Sequence, residues 1–287
     1  MKTVWIVNYY AGIPETMGNA RHFEFAKHLI EAGYMVRVFR ANSSSSTIEF
    51  DNKEYINKEY GGVSYTHIKV KAYEGNGIKR MLSIFQFAWR FFLFRNEFEK
   101  PDVILQNIHA PFDFPVVWGA KRLNARYIAE AWDLWPHYFV TFGLISAKNP
   151  VMKWAYSIER KMYEKASDII FTFEGGVDYL CWHKWTTVAK GKIDIRKVHY
   201  INNGILLKEF YDNVYQYPND DADLNRKDKF KVIYLGSIRL VNNVKQLIDA
   251  ANVLKGDDRF SFLIYGNGND KPILQKYVED NHIDNVI

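Results

Sequence analysis

Short apolar runs alternate with stripes of apolar residues at three- and four-residue spacing along the whole chain, a pattern that predicts strands alternating with helices in open parallel sheets. The clearest unit lies late. Lys231 to Leu235 is a buried strand that stops at Gly236; Val244, Leu247, Ile248, Ala251 and Leu254 then line one face of a helix that Gly256 closes. The loop between them holds Gly236, Ser237 and Arg239. There the free amide N–H groups of a helix start and a guanidinium fork can meet phosphate oxygens. A solvated connection of any α/β protein has the same look when taken alone.

The same alternation opens the chain. Thr3 to Asn8 reads as a strand, Tyr9 to Gly18 as a loop, and Phe23, Ala26, Leu29 and Ile30 as the apolar face of a helix capped by Asn19 and ended at Gly33. Val36 to Phe39 is the next strand. A glycine stands at the helix start, but the spaced glycines of a dinucleotide fingerprint are absent, so NAD is not inferred. Asn42 to Lys58 is polar and serine-rich and reads as a surface loop, followed by a strand from Tyr65 to Val70.

Ile78 to Arg95 then forms a helix with Met81, Leu82, Phe85, Trp89, Phe92 and Leu93 apolar and Lys79, Arg80, Arg90 and Arg95 basic. Two roles fit it equally. One is docking on an anionic membrane surface through Arg80, Phe85, Trp89 and Arg90; the other is packing on the sheet, although Phe87, Phe91 and Phe94 widen the apolar face beyond a core contact. Asp102 to Leu105 is a strand, Phe114 to Leu123 a helix and Arg126 to Ala131 a strand. At the end of the last stand Glu130, Trp132, Asp133 and Trp135. Carboxylates accept from sugar hydroxyls and indoles stack on C–H faces, so the mixture suits a sugar; a turn leading into a helix, with tryptophans in the core, is the alternative.

A helix from Pro150 to Ala166, a strand from Asp168 to Phe173, a helix from Gly176 to His183 and a strand from Lys197 to Ile201 complete a first domain over 1–204. The polar, acidic stretch from Tyr211 to Asp228 marks a linker spanning 205–229, in which Asp221-Ala222-Asp223 reads as a solvated loop. The second domain, 230–287, adds a strand from Phe260 to Tyr265, the Gly266-Asn267-Gly268 loop, a helix from Lys271 to Asn281 and the start of a third strand at Asp284 to Ile287.

Composition narrows the classes. Of the 287 residues, 48% are apolar and 25% charged, as in a soluble globular protein of two domains, and the net charge of +5 is too small and too dispersed for a nucleic-acid partner. Cys181 is the only cysteine, which excludes an intrachain disulfide and a cysteine zinc site, and Met1-Lys2 precedes only a short apolar run, so a cytoplasmic protein is expected. No Walker loop, zinc-hydrolase helix motif or serine elbow is present, and the eight scattered histidines read as structural.

Five segments in order and spacing carry a family resemblance: Gly18 ahead of the Arg21 to Gly33 helix, Glu130 to Pro136, the Tyr200-Ile201-Asn202-Asn203-Gly204 turn with Phe210 after it, Tyr234 to Ser237, and Ile264 to Gly268. The chain resembles the family 4 glycosyltransferases of bacterial surface polysaccharide synthesis. The resemblance implies the α/β GT-B architecture, two Rossmann-like parallel-sheet domains facing a cleft, the first for the acceptor and the second, incomplete here, for a nucleotide-sugar. It implies transfer with retention of anomeric configuration and without metal or other cofactor, protein cations and amides stabilising the departing diphosphate.

On these positions Gly18 lies by the donor phosphates or the acceptor, and Asp133 is catalytic beside the sugar, with Glu130 and Trp132 on the acceptor side. Gly236, Ser237 and Arg239 face the diphosphate, and Gly266, Asn267 and Gly268 the nucleoside. The implied acceptor is a glycan, polyprenyl-linked, at the inner membrane face, in capsule, O-antigen or exopolysaccharide synthesis. Two departures stand out. Ser237 and Asn242 occupy places where the family carries Arg and Lys, leaving Arg239 and Lys245 as substitutes, and the family's later pair of glutamates has no counterpart, so the chain is expected to be truncated and inactive alone. A non-catalytic acceptor-domain subunit and a sugar-nucleotide 2-epimerase are the other readings.

Overall fold

The computed structural model describes residues 1–14, 21–42, 49–73, 75 and 77–287. The chain divides into two compact units, Met1–Gly204 and Ile205–Ile287.

Thr-Val-Trp-Ile-Val, buried at every position, makes β1 (Thr3–Val7) the centre of the first unit. After it come α1 (Arg21–Glu31), β2 (Met35–Asn42), β3 (Tyr55–Tyr60), β4 (Val63–Lys69), α2 (Ile78–Phe94), β5 (Val103–Asn107), α3 (Pro115–Leu123), β6 (Arg126–Ala131), α4 (Trp135–Thr141), α5 (Pro150–Lys165), β7 (Asp168–Phe171), α6 (Gly176–Trp182) and β8 (Val198–Tyr200). The sheet order is β3-β4-β2-β1-β5-β6-β7-β8, parallel except for β3, which runs antiparallel to β4. The strand order reverses direction between β1 and β5, the position where open α/β sheets leave a crevice at their carboxyl ends.

Helices cover both faces. Val4, Ile6, Val36, Val38 and Tyr65 pack with Phe23 and Ala26 of α1 on one side, while Trp5, Val7, Phe39 and Ile104 meet Ile84, Phe87 and Phe91 of α2 and Val116 and Ala120 of α3 on the other. Much of the aromatic content is spent here: the Trp5 and Phe39 rings lie 4.8 Å apart and Phe91 meets both edge-on. Phe87 and Phe91 therefore belong to the core, and Phe94 packs on Tyr55, so they do not widen the outer face of α2. That face is left to Ile78, Leu82, Phe85, Trp89 and Leu93, all exposed. Among the described residues no helix is long and apolar enough to cross a membrane.

The stretch expected as a loop, Asn42 to Lys58, runs into β3, whose Asn57, Lys58 and Glu59 face water, as suits an antiparallel strand closing the edge of a parallel sheet. The segment after Trp132 turns into α4, with Pro136 in its first turn, where a proline lacks no needed donor.

The second unit comprises α7 (Leu207–Gln216), α8 (Ala222–Asn225), β9 (Phe230–Leu235), α9 (Val244–Val253), β10 (Phe260–Tyr265) and α10 (Lys271–Asp280). β9 and β10 pair in parallel from Phe230–Phe260 to Leu235–Tyr265. Phe262 N–H donates to Asn285 O and Ile264 N–H to Ile287 O, both at 2.8 Å, so the last residues lie along β10 as a third strand begins. The core is Ile238, Val244, Ile248, Ala251, Phe262 and Ile283. The stretch expected as a linker, 205–229, carries α7 and α8. Asp221, expected in a solvated loop, caps α8 by accepting from Asp223 N and Leu224 N and also takes the Tyr265 hydroxyl at 2.8 Å. Leu254 caps α9, and Gly256, expected there as a left-handed terminator, stays outside the left-handed region.

Candidate functional site

Glu130 stands near the end of β6 with no exposed surface. Three donors fill its carboxylate: Arg21 Nε to Oε1 at 2.9 Å, His22 Nε2 to Oε2 at 2.7 Å and Trp132 Nε1 to Oε2 at 2.8 Å. Tyr10 N–H donates to Asn8 Oδ1, so the amide nitrogen of Asn8 is the end at His22 Nδ1, 2.9 Å away. Nε2 carries a proton directed at Glu130. Burial alone would raise the Glu130 carboxyl; His22 and Arg21 outweigh it and hold the group below the usual carboxylate range. Arg21 spends its remaining donors on the main-chain oxygens of Ile201 at 2.8 Å and Asn202 at 2.7 Å, and on Asn203 Oδ1 at 3.2 Å. One carboxylate thus ties the start of α1, the end of β6 and the turn after β8 together. Glu130, expected on the acceptor side, has both carboxylate oxygens already taken by these donors.

Beside this hub, at the reversal between β1 and β5, lies a cavity of about 220 Å³ lined by Tyr10, Asn107, His109, Trp132, Asp133 and Trp135, with Arg80 and Ile108 completing it. Ile108 N–H donates to Glu130 O at 2.9 Å, which joins the loop after β5 to β6. Arg80 comes from α2. Its Nε donates to Tyr10 OH at 2.7 Å, and its guanidinium lies 5.3 Å from the Tyr10 ring and 5.1 Å from the Trp135 ring. Trp132 stacks on His22 with ring centres 5.0 Å apart. Asp133 is exposed at the rim.

In the second unit the loops after β9 and β10 interlock. Gly236 N–H donates to Tyr265 O at 3.0 Å, Ile238 N–H to Asn267 O at 2.9 Å and Asp270 N–H to Ile238 O at 3.2 Å. A Cβ on Gly266 would sit 1.9 Å from Gly236 O, and one on Gly268 2.1 Å from Ile238 O. Only glycine allows this approach of backbone to backbone. Arg239 is exposed at the loop and its side chain makes no ion pair or hydrogen bond among the described residues. Lys245, assigned the same task from sequence, is occupied: Nζ lies 2.7 Å from Asp249 Oδ1 and 4.4 Å from the centre of the Tyr277 ring.

The structure therefore gathers Trp132 and Asp133 at one cavity and Gly236, Ser237, Arg239, Gly266, Asn267 and Gly268 at one pair of loops. Gly18 and Asn19 lie outside the described residues. Of the residues assigned to a membrane, Phe85 and Trp89 are exposed on α2 with rings stacked 6.2 Å apart. Arg80 turns to the cavity, and Arg90 is held by Glu54 and by Lys69 O. The pattern along the chain gave no sign of Asn8, Arg21, His22, Asn107, His109 and Asp113, because their importance lies in partners distant in sequence.

No protein-family model and no curated protein sequence matches the chain. Solved structures do. WaaG, a glycosyltransferase involved in lipopolysaccharide biosynthesis, superposes with a TM-score of 0.63 at 13% identity, over 99% of this chain and 69% of that one. The α,α-trehalose-phosphate synthase (UDP-forming) of Burkholderia vietnamiensis gives 0.59 at 12% identity, over 98% and 69% of the two chains. HepE of Anabaena, in complex with UDP, gives 0.55 at 12% identity, over 100% and 68%. The fold is that of the GT-B glycosyltransferases.

Proposed function

We propose that this chain of GT-B fold is a glycosyltransferase that takes a nucleotide-sugar as donor and a glycan as acceptor. The observation that carries the reading is the glycine-locked pair of loops at the carboxyl ends of β9 and β10, with the unpaired Arg239 guanidinium beside them. Close backbone approach and a permanent cation are what a diphosphate requires of a site that uses no metal. Structural neighbours that hold UDP, HepE among them, support the same assignment. A UDP-forming trehalose-phosphate synthase and WaaG, a glycosyltransferase involved in lipopolysaccharide biosynthesis, share this fold and support the reading.

In the finer form, the reaction retains anomeric configuration, in the manner of family 4 enzymes. Asp133 sits beside the transferred sugar, and Arg239 with the loop amides stabilises the leaving diphosphate. The acceptor is a polyprenyl-linked glycan of surface polysaccharide synthesis. The exposed row Ile78, Leu82, Phe85, Trp89 and Leu93 of α2 rests on the cytoplasmic membrane face, apolar side down.

Binding requires no acceptor and is a cleaner readout than turnover. Thermal-shift titration with UDP-, GDP- and dTDP-sugars in EDTA should give stabilisation by one nucleotide class, lost in Arg239→Ala. A folded protein that responds to none of them refutes the donor assignment.

A further inference from the structure

The cavity between the β1 and β5 ends holds hydrogen-bonding atoms that the fold does not use. Asn107, at the end of β5, is 3% exposed, and its Nδ2 has no partner among the described residues. An unpaired buried donor of this kind is destabilising, and an apolar residue of the same shape would remove the penalty.

His109, two residues on, is 5% exposed and lines the same cavity. Its Nδ1 lies 3.5 Å from Asp113 Oδ2, and that oxygen also accepts the His109 main-chain N–H. The Asp113 carboxylate on this side of the ring favours the tautomer with its proton on Nδ1 and the lone pair on Nε2. Nε2 makes no hydrogen bond among the described residues. The ring is held on two sides, with Tyr10 at 5.2 Å and Trp135 at 5.3 Å, both edge-on.

Asp113 is itself fastened to the sheet. Gln106 Nε2 donates to its main-chain oxygen at 3.1 Å, and Tyr127 OH donates to Gln106 Oε1 at 2.8 Å. Asn107 and His109 thus line one cavity among aromatic rings, the His109 ring held by Asp113, Tyr10 and Trp135. The cavity volume of about 220 Å³ equals roughly seven liquid-water volumes, room for one sugar ring.

We propose that Asn107 and His109 read two neighbouring hydroxyls of a single acceptor pyranose, Asn107 Nδ2 donating to one oxygen and His109 Nε2 accepting from the other, with the ring's C–H face against Trp132 or Trp135. This rests on the glycan-acceptor reading above and assigns its specificity to two side chains. A hydroxyl that meets a matched buried group is distinguished sharply from its absence, so analogues lacking either hydroxyl are rejected.

The test is saturation-transfer NMR on the full chain with methyl glycosides of glucose, galactose, mannose and N-acetylglucosamine and their monodeoxy analogues. At least one glycoside should bind, and removal of one of two adjacent hydroxyls should weaken it at least tenfold. Asn107→Leu keeps the shape and removes the unpaired amide; it should melt no lower than the parent while binding at least tenfold more weakly, a combination that a structural role would not give. His109→Phe should also lose tenfold, and His109→Gln, which restores an acceptor, should recover part of it.

No signal from any glycoside, or unchanged affinity in both Asn107→Leu and His109→Phe, overturns the proposal. The nucleotide titration reports on the other unit. Glycoside binding without a nucleotide response leaves this subsite standing and refutes the donor, and the reverse refutes the subsite alone.

Discussion

His22 donates its Nε2–H to Glu130 Oε2 at 2.7 Å across 108 residues of chain, while Asn8 Nδ2 lies 2.9 Å from its other ring nitrogen. Glu130→Gln keeps the shape but offers an amide to an arrangement of donors, and Arg21 loses its counter-charge. Breaking a buried pair by removing one partner costs about 3–5 kcal/mol. The melting midpoint of the first unit should fall by on the order of 10 °C in a circular-dichroism melt. A midpoint within 2 °C of the parent would sink the assignment of Glu130 as the hub.

A second buried carboxylate behaves oppositely. Burial pushes Glu159 of α5 up to about 8, although Tyr179 and Tyr163 donate hydroxyls to it at 2.8 and 3.2 Å. A carboxyl whose folded pKa is raised contributes stability that is complete below the ordinary glutamate pKa and is lost as pH rises through about 8. Glu159→Gln imitates the neutral form, so the variant should melt above the parent at pH 9 and level with it at pH 5. Glu130, held low, has the reverse sign: its contribution is present above the ordinary glutamate range and fades as pH falls through its depressed value. Parallel curves for Glu159→Gln and parent from pH 5 to 9 would count against the buried protonated acid.

Gly266→Ala and Gly268→Ala place a methyl inside contact distance of a backbone oxygen, at 1.9 and 2.1 Å. Each should destabilise the second unit by about 2 kcal/mol or more and abolish any nucleotide response. Gly204→Ala, which meets nothing within 4 Å and has no left-handed φ, should change neither by a measurable amount. Hydrogen exchange in β9 and β10 resolves the effect, and a Gly266→Ala protein with parental protection would contradict the close packing.

Phe85 and Trp89 are 45% and 40% exposed, so Phe85→Ser with Trp89→Ser should cost little fold stability. If α2 lies on a membrane, cosedimentation with phosphatidylglycerol-containing vesicles should drop at least tenfold in the double variant. Equal cosedimentation of parent and variant would remove α2 from the membrane.

Strands with mostly buried runs announced themselves: β6 and β10 match the expected bounds residue for residue, their apolar character surviving the polar residue inside each, Glu130 and Ser261. β3 did not, because an edge strand facing water with Asn57, Lys58 and Glu59 looks like a loop until β4 is known to lie beside it. Trp132, Asp133 and the two glycine loops were legible from residue type at strand ends. Arg21, His22 and His109 were not. A histidine becomes informative only through what faces each of its nitrogens, and here Glu130 and Asn8, or Asp113 and a cavity, supply that meaning through the fold.

Arg21 bonds the turn at Ile201, Asn202 and Asn203 over separations of 180 to 182 residues, which gives the first unit an order of assembly. At a synthesis rate of about 5–20 residues per second, a nascent chain carries Arg21 for roughly ten to forty seconds before those oxygens exist. Sheet and helices have time to form around β1 first. The bonds from Arg21 to this turn close last, so a stalled chain ending before Ile201 would hold a folded sheet with the start of α1 unlatched from it.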